Sequence, residues 1–143
     1  MDDDNAVDTG PRPQLLLVED DDNAVDTGPR PQLLLVEDDE GVRRSLHLLL
    51  HWRGFDVRSY ASARALLEDT DVSTAEWLIT DYRLPDGDGI GVLRSMQRRD
   101  WHGRSILITA YPDPTLRAIA SMNGFHAVLD KPIRQHELIA ALA

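Results

Sequence analysis

The sequence predicts an α/β fold: a doubly wound parallel sheet with helices on both faces. Three observations predict it. From residue 33 onward, five short apolar runs alternate with segments of helical periodicity, as expected for parallel strands linked by crossover helices. Turn residues punctuate the alternation, among them Gly54, Gly124 and the run Pro85-Asp86-Gly87-Asp88-Gly89. The length of 143 residues suits one domain with a single core.

The elements follow in order. Leu33–Glu37 reads as a buried strand. Residues 40–53 read as a helix with Val42, Leu46, Leu49 and Leu50 on one face, ended by Gly54. Residues 55–60 alternate as a second strand, with Phe55, Val57 and Ser59 on one side. Residues 61–68 read as a short helix with Ala65 and Leu66 facing inward. Residues 77–80 form the third strand, and Ile90, Leu93 and Met96 mark the helix over 90–99. Residues 105–109 are the fourth strand. Pro112 and Pro114 bracket the next helix start, whose body carries Leu116, Ile119 and Ala120. A short fifth strand covers 126–129, and residues 134–142 begin a last helix that reads as cut short.

Composition narrows the function classes. Hydrophobic residues make up 42% and charged residues 28%, and the net charge is -10. Such acidity opposes direct binding to nucleic acid or anionic membrane, because phosphates would repel it. With no cysteine, disulfides, thiol catalysis and cysteine-bound zinc are excluded. The acidic start Met1-Asp2-Asp3-Asp4 is unlike a signal peptide. The longest aliphatic runs, Leu15–Val18 and Leu33–Val36, are far too short to span a bilayer. A cytoplasmic location is the expectation.

Residues 2–21 are identical to residues 20–39. The unit DDNAVDTGPRPQLLLVED occurs twice in tandem, which reads as a recent duplication or an artefact of cloning rather than a diverged solenoid. The second copy runs straight into the helix from Glu40, so it is the expected core strand; the first would need a long loop to reach that helix. The first copy is then a spare strand on an acidic leader, with disorder, edge pairing or exchange between molecules as its expected fates. The domain boundaries read as 1–30 for the leader and 31–143 for the folded domain.

In doubly wound sheets, functional groups gather outside the carboxyl ends of the strands. Glu37 and Asp38 end the first strand, Asp81 follows the third, Thr109 ends the fourth, and Lys131 follows the fifth. Three converging carboxylates repel one another and favour a divalent cation; an all-oxygen, hydrated site suits Mg²⁺. Lys131 is the only lysine against fourteen arginines. Its compact ammonium can neutralise carboxylates and hold a phosphoryl oxygen, and Thr109 offers a hydroxyl donor. Phosphoryl transfer needs little more than a nucleophile, a metal and such donors, with Asp81 as the natural nucleophile.

Each residue alone has a plainer reading. Asp38 or Asp39 would serve as a helix cap, Thr109 as an ordinary strand residue, and Lys131-Pro132 as a surface turn. Asp86–Gly89 resembles part of a calcium loop, but the register puts Leu84 and Ser95 where that loop needs acids, so a turn and helix cap is preferred. His47 and His51 lie four apart without a metalloprotease Glu and read as helix-surface residues. Trp52, Trp77 and Trp101 read as packing or partly exposed anchors.

The motifs LLLVEDDE at 33–40, LITDYRLPDGDG at 78–89, ILITA at 106–110 and VLDKPI at 128–133 resemble the receiver domain of two-component response regulators, the CheY-like family. The resemblance covers residues 32–143. It implies a flavodoxin-like sheet of strand order 2-1-3-4-5. It implies that Asp81 accepts a phosphoryl group from a histidine kinase or a histidine phosphotransfer protein. It further implies that Asp38 ligates Mg²⁺ directly, that Glu37 acts through water, and that the Arg83 backbone carbonyl is a third protein ligand. Lys131 and Thr109 match the charge-pairing lysine and the switch hydroxyl. The activity implied is a switch that catalyses only its own phosphorylation and dephosphorylation. A homodimer through the helix 4, strand 5 and helix 5 face, or by exchange of the duplicated strand, is the further expectation. The usual aromatic of strand five is Val128 here, with Tyr111 as the candidate substitute. Two rivals are weighed. An aspartyl-phosphate hydrolase would carry its nucleophile after strand one, with a second Asp two positions on, where Arg83 stands relative to Asp81. A non-phosphorylated interaction module of the same fold would not need the full acid, threonine and lysine set.

Overall fold

The computed structural model describes residues 29–111 and 113–143. Among them, five strands form one parallel sheet: β1 (Gln32–Val36), β2 (Asp56–Tyr60), β3 (Trp77–Asp81), β4 (Arg104–Thr109) and β5 (Ala127–Asp130). Their order is β2-β1-β3-β4-β5, and every neighbouring pair is parallel. Five helices alternate with them: α1 (Glu40–Trp52), α2 (Ala63–Glu68), α3 (Gly89–Arg98), α4 (Pro114–Met122) and α5 (Gln135–Ala141). The predicted class and strand order both hold. The duplicate segment Leu15–Val18 lies outside the described residues.

Alternation along the strands divides the core in two. Leu34, Val36, Leu78 and Leu107 face one side, where Leu66 of α2, Leu93 and Met96 of α3, and Leu116 and Ala120 of α4 cover them. Leu33, Leu35, Ile79, Ile106 and Ile108 face the other side, against Leu46 and Leu50 of α1 and Leu138 of α5. The central strands are therefore apolar on both faces, which explains their continuous hydrophobic runs. β2, at the sheet edge, buries only Val57 fully.

Caps and turns place the helix starts at the carboxyl edge of the sheet. Asp39 caps α1 by accepting from the Val42 amide at 2.9 Å. Asp88 caps α3 by accepting from Gly91 N–H at 2.8 Å, so the turn-and-cap reading of that loop is correct. Asp113 caps α4. Gly54 and Gly124 adopt φ of 101° and 104° just past α1 and α4, the left-handed exit that glycine makes without steric cost.

Three local expectations need correction. α2 starts at Ala63 and turns Ala63 and Leu66 inward, leaving Ala65 exposed; the helix begins two residues later because Ser62 caps it. β5 is shifted by one residue, to Ala127–Asp130. His47 is half-buried rather than on the surface, with Nδ1 hydrogen-bonded to Ser59 Oγ of the edge strand. Trp77 and Trp101 are buried packing residues and Trp52 is exposed.

α3 approaches the sheet closely at Gly89. A β-carbon there would stand 2.4 Å from the Asp81 carbonyl oxygen, 2.8 Å from Leu107 Cδ1 and 2.9 Å from Thr80 Cγ2. Backbone cannot yield as a side-chain tip can. Gly89→Ala is expected to destabilise the fold by roughly 1–3 kcal/mol, the range for overpacking, read as a lower urea midpoint. An unchanged midpoint would show that α3 is free to move away from Asp81.

Candidate functional site

β1 and β3 lie side by side at the centre of the sheet, with Val36 registered against Thr80. The residues that follow, Glu37 and Asp81, therefore emerge together at the carboxyl edge. Glu37 is 0% exposed and Asp81 is 4% exposed, so both carboxylates sit on the polar end of an otherwise apolar core. Asp38, one residue on, is exposed. One carboxylate oxygen from each of Glu37, Asp38 and Asp81 lies within 4.8 Å of the others.

Lys131 reaches this cluster from the loop after β5. Its backbone N–H donates to the Thr109 carbonyl at 2.8 Å, which fixes the start of the side chain. Its Nζ lies 3.0 Å from Asp81 Oδ2 and 2.9 Å from Glu37 Oε1. The first contact is a hydrogen bond. The second is an ion pair without hydrogen-bond alignment, so Glu37 Oε1 has no hydrogen-bond donor, and neither has buried Asp81 Oδ1. The other Glu37 oxygen accepts from Asp39 N–H at 3.0 Å.

Electrostatics divides the pair. Burial pushes the Asp81 carboxyl up, and the closeness and negative charge of Glu37 add to this; Lys131 only partly opposes, leaving Asp81 at about 8. Burial also works against the charge on Glu37, but the neighbouring Asp81 carboxyl, the hydrogen bond from Asp39 N–H and the Lys131 ammonium outweigh it and hold its carboxyl below the ordinary range. For Lys131, burial again opposes the charge, and Glu37 and Asp81 overcome it and raise its pKa. Two close carboxylates and one ammonium thus retain a proton at neutral pH.

The donor set fits a hard divalent cation. It is all oxygen, contains three carboxylates, and leaves two buried oxygens without donors, which is the chemistry Mg²⁺ takes. Residues Glu37, Asp38 and Asp81 would hold it. The structure thus gathers four of the six predicted site residues: Glu37, Asp38, Asp81 and Lys131. Thr109 is also at this edge and buried, but its hydroxyl accepts from Tyr111 N–H at 3.1 Å and makes no hydrogen bond to Asp81. Arg83 opens a two-residue hairpin, Arg83–Leu84 with Gly87–Asp88, and its guanidinium stacks 5.3 Å from the Tyr111 ring.

Two supporting residues escaped the sequence reading. Asp86 accepts from Ala63 N–H at 3.0 Å and Arg64 N–H at 2.9 Å, so the loop after Asp81 is tied to the start of α2. Arg43 donates back from α1 to the Glu37 carbonyl at 2.9 Å. Neither spacing forms a local motif.

Residues 33–143 match the family described as response regulator receiver domain. Nodulation protein W of Bradyrhizobium diazoefficiens is 34% identical over 101 residues, covering 71% of this chain and 44% of that protein. Transcriptional regulatory protein FixJ of Rhizobium meliloti is 32% identical over 103 residues, covering 72% of this chain and 50% of that protein. The chain spans about half the length of these relatives. Among solved structures, FixJ-N superposes with a TM-score of 0.71 at 32% identity, over 80% of this chain and 92% of that one. Vibrio cholerae CheY4 shares the fold with a TM-score of 0.74 at 19% identity, over 80% and 97%.

The pH dependence of stability tests the electrostatics. With Asp81 raised from 3.8 to about 8, its stabilising contribution is complete below pH 3.8 and is lost as pH rises through about 8. In EDTA, wild type is expected to lose stability relative to Asp81→Asn across that window, read from urea midpoints. Parallel pH curves for the two proteins would show that Asp81 is not raised.

Proposed function

The chain belongs to the response regulator receiver domain family, a family of phosphoacceptor signalling domains, and on that premise we propose that Asp81 is the acceptor. Receiver domains of response regulators take their phosphoryl group from histidine kinases. The observation that carries the proposal is the convergence at Asp81. A buried carboxyl group with one unpartnered oxygen lies beside Glu37 and Asp38 and 3.0 Å from the Lys131 ammonium.

The chemistry follows from these groups. An Asp81 oxygen attacks the phosphorus of a phosphohistidine; the O–P bond forms as the P–N bond breaks, and the imidazole leaves with its electron pair and takes up the proton that the carboxyl gives up. Glu37 and Asp38 supply the charge that attracts Mg²⁺, with the Arg83 carbonyl as the third protein ligand and Glu37 acting through water. Bound Mg²⁺ would neutralise phosphoryl oxygens and align the group for in-line transfer. Lys131 is already placed to exchange a carboxylate for a phosphoryl oxygen, and Thr109 donates its hydroxyl to another. The donor is a histidine kinase or a histidine phosphotransfer protein. Residues 31–143 form the switch domain and residues 1–30 an acidic leader. Among the described residues no helix is long and apolar enough to cross a membrane.

Self-association through α4, β5 and α5 belongs to the same proposal. α4 leaves Ile119 43% and Met122 85% exposed, apolar surface that a second copy would cover. Exchange of the duplicated strand is the other proposed route, and that segment lies outside the described residues.

Incubation with ³²P-acetyl phosphate and Mg²⁺ is expected to label wild type, with labelling reduced to background by Asp81→Asn or by EDTA. Persistent labelling of Asp81→Asn would refute the assignment. Light-scattering mass over a range of concentrations, with and without beryllofluoride, is expected to rise toward a dimer; strict monomer throughout would remove both routes of association.

A further inference from the structure

Asp38 is the one member of the acidic cluster whose own contacts do not fix it. Glu37 is held by Asp39 N–H and faces the Lys131 ammonium, and Asp81 is held by Lys131. The exposed Asp38 carboxylate makes no hydrogen bond among the described residues, yet one of its oxygens lies within 4.8 Å of both partners. Its direction is therefore set by its backbone.

Arg43 fixes that backbone. From the first turns of α1, its Nη1 donates to the Glu37 carbonyl at 2.9 Å and, more weakly, to the Asp38 carbonyl at 3.4 Å. These are the two carbonyls that flank the Asp38 residue, so one guanidinium grips the peptide units on either side of its Cα. Arg43 is half-buried as a residue, and a hydrogen bond from a charged donor is stronger than a neutral one. Further ties converge on the same turn. Glu37 N–H donates to the Tyr60 carbonyl at 3.0 Å, and Val42 N–H donates to Asp39. They anchor the residues before and after Asp38. Asp39 N–H, in the peptide unit that follows Asp38, also donates to Glu37 Oε2 at 3.0 Å, and Arg43 is the side chain that bonds the carbonyls on both sides of Asp38.

We propose that Arg43 is a positioning residue for the divalent cation, holding the turn at Asp38 in the conformation that presents its carboxylate to Glu37 and Asp81. The inference rests on the phosphoacceptor reading above. Geometry and charge make opposite demands here, which makes the role testable. As a cation beside three carboxylates, Arg43 disfavours Mg²⁺; as a clamp, it favours Mg²⁺. If charge dominated, removing the guanidinium would tighten binding. Clamping dominates when the ligand's own carboxylate makes no hydrogen bond, as for Asp38 among the described residues, and outer residues that orient metal ligands typically contribute about ten- to a hundredfold in affinity.

The experiment compares wild type, Arg43→Met and Arg43→Lys. Met keeps much of the apolar stem without donor or charge; Lys keeps the charge but loses the planar fork. Mn²⁺ binding is read by electron paramagnetic resonance, with Mg²⁺ as competitor, and urea midpoints in EDTA confirm folding. Roughly tenfold weaker Mg²⁺ binding is expected for Arg43→Met, with Arg43→Lys recovering only part of it. The Mg²⁺ concentration for half-maximal labelling by acetyl phosphate should shift equally, with the maximal rate at saturating Mg²⁺ within about twofold of wild type. Tighter or unchanged binding in Arg43→Met would overturn the proposal, as would full recovery in Arg43→Lys. Should Arg43→Met fail to fold, Arg43→Lys decides: wild-type affinity overturns the proposal and weakened affinity supports it. Absence of Mg²⁺ binding by wild type would instead remove the phosphoacceptor reading beneath it.

Discussion

Two carboxylates at the end of the most apolar part of the sheet, with a single ammonium between them, form the constraint on which the rest of the site depends. Glu37 and Asp81 are both buried, and Lys131 Nζ stands 2.9 and 3.0 Å from them. Like charges at such range cost a few kcal/mol even at an effective dielectric of about 20. One lysine offsets one of them. The remaining imbalance is relieved by a proton, and it is equally suited to relief by a cation or by a phosphoryl group whose oxygens take the ammonium. The site is poised because it is incompletely neutralised.

The sheet enforces this arrangement. β1, β3 and β4 are buried on both faces, and their side chains interlock with helices on each side, so the strand ends cannot drift apart without opening the core. Opening it would forfeit about 2–5 kcal/mol for each large aliphatic side chain deprived of its packing. The apolar core thus holds together polar groups that would separate if free. Gly89 shows how closely this is done. α3 lies against the carbonyl of Asp81 itself, and the same loop sends Asp86 to the start of α2. Asp81 is gripped from its backbone while its carboxyl group keeps an oxygen without a donor.

Much of this was legible in the sequence because it is local or periodic. The strand runs, the helix faces of α1 and α3, a cap at Asp38 or Asp39, and a turn-and-cap somewhere in residues 86–89 depend on neighbours within four residues. The acids and Lys131 were found because the topological rule for parallel sheets converts a position in sequence into a position at one edge. What escaped depends on contacts across the fold. Asp86 bonds to amides 22 and 23 residues away. His47 is drawn to Ser59 only because α1 packs beside the edge strand. The faces of α2 were misassigned because six residues hold too few turns for a period to show. Arg43 belongs to no motif in the sequence, and only the backward reach of its side chain reveals its partners.

The position of Thr109 follows from the same economy of hydrogen bonds. Its hydroxyl accepts from the Tyr111 amide at 3.1 Å and donates weakly to the Tyr111 carbonyl at 3.4 Å. Donating to a group on Asp81 would give up that weak bond to the carbonyl, and a charged phosphoryl acceptor would exceed it, because hydrogen bonds to ions are roughly twice as strong as neutral ones. Tyr111 is in turn stacked under Arg83, two residues from the acceptor. Val128, half-buried on β5, carries no ring to move, and its carbonyl is held by Arg117 of α4 at 3.0 Å while Asp130 is held by the same guanidinium at 2.9 Å. Motion of the hydroxyl is therefore connected by hydrogen bonds and ring stacking to the loop beyond β4, whereas β5 and α4 are tied to each other by a single arginine. The direct contact outward from Asp81 is Lys131, at 3.0 Å and one residue beyond β5, whose backbone N–H is bonded to the Thr109 carbonyl.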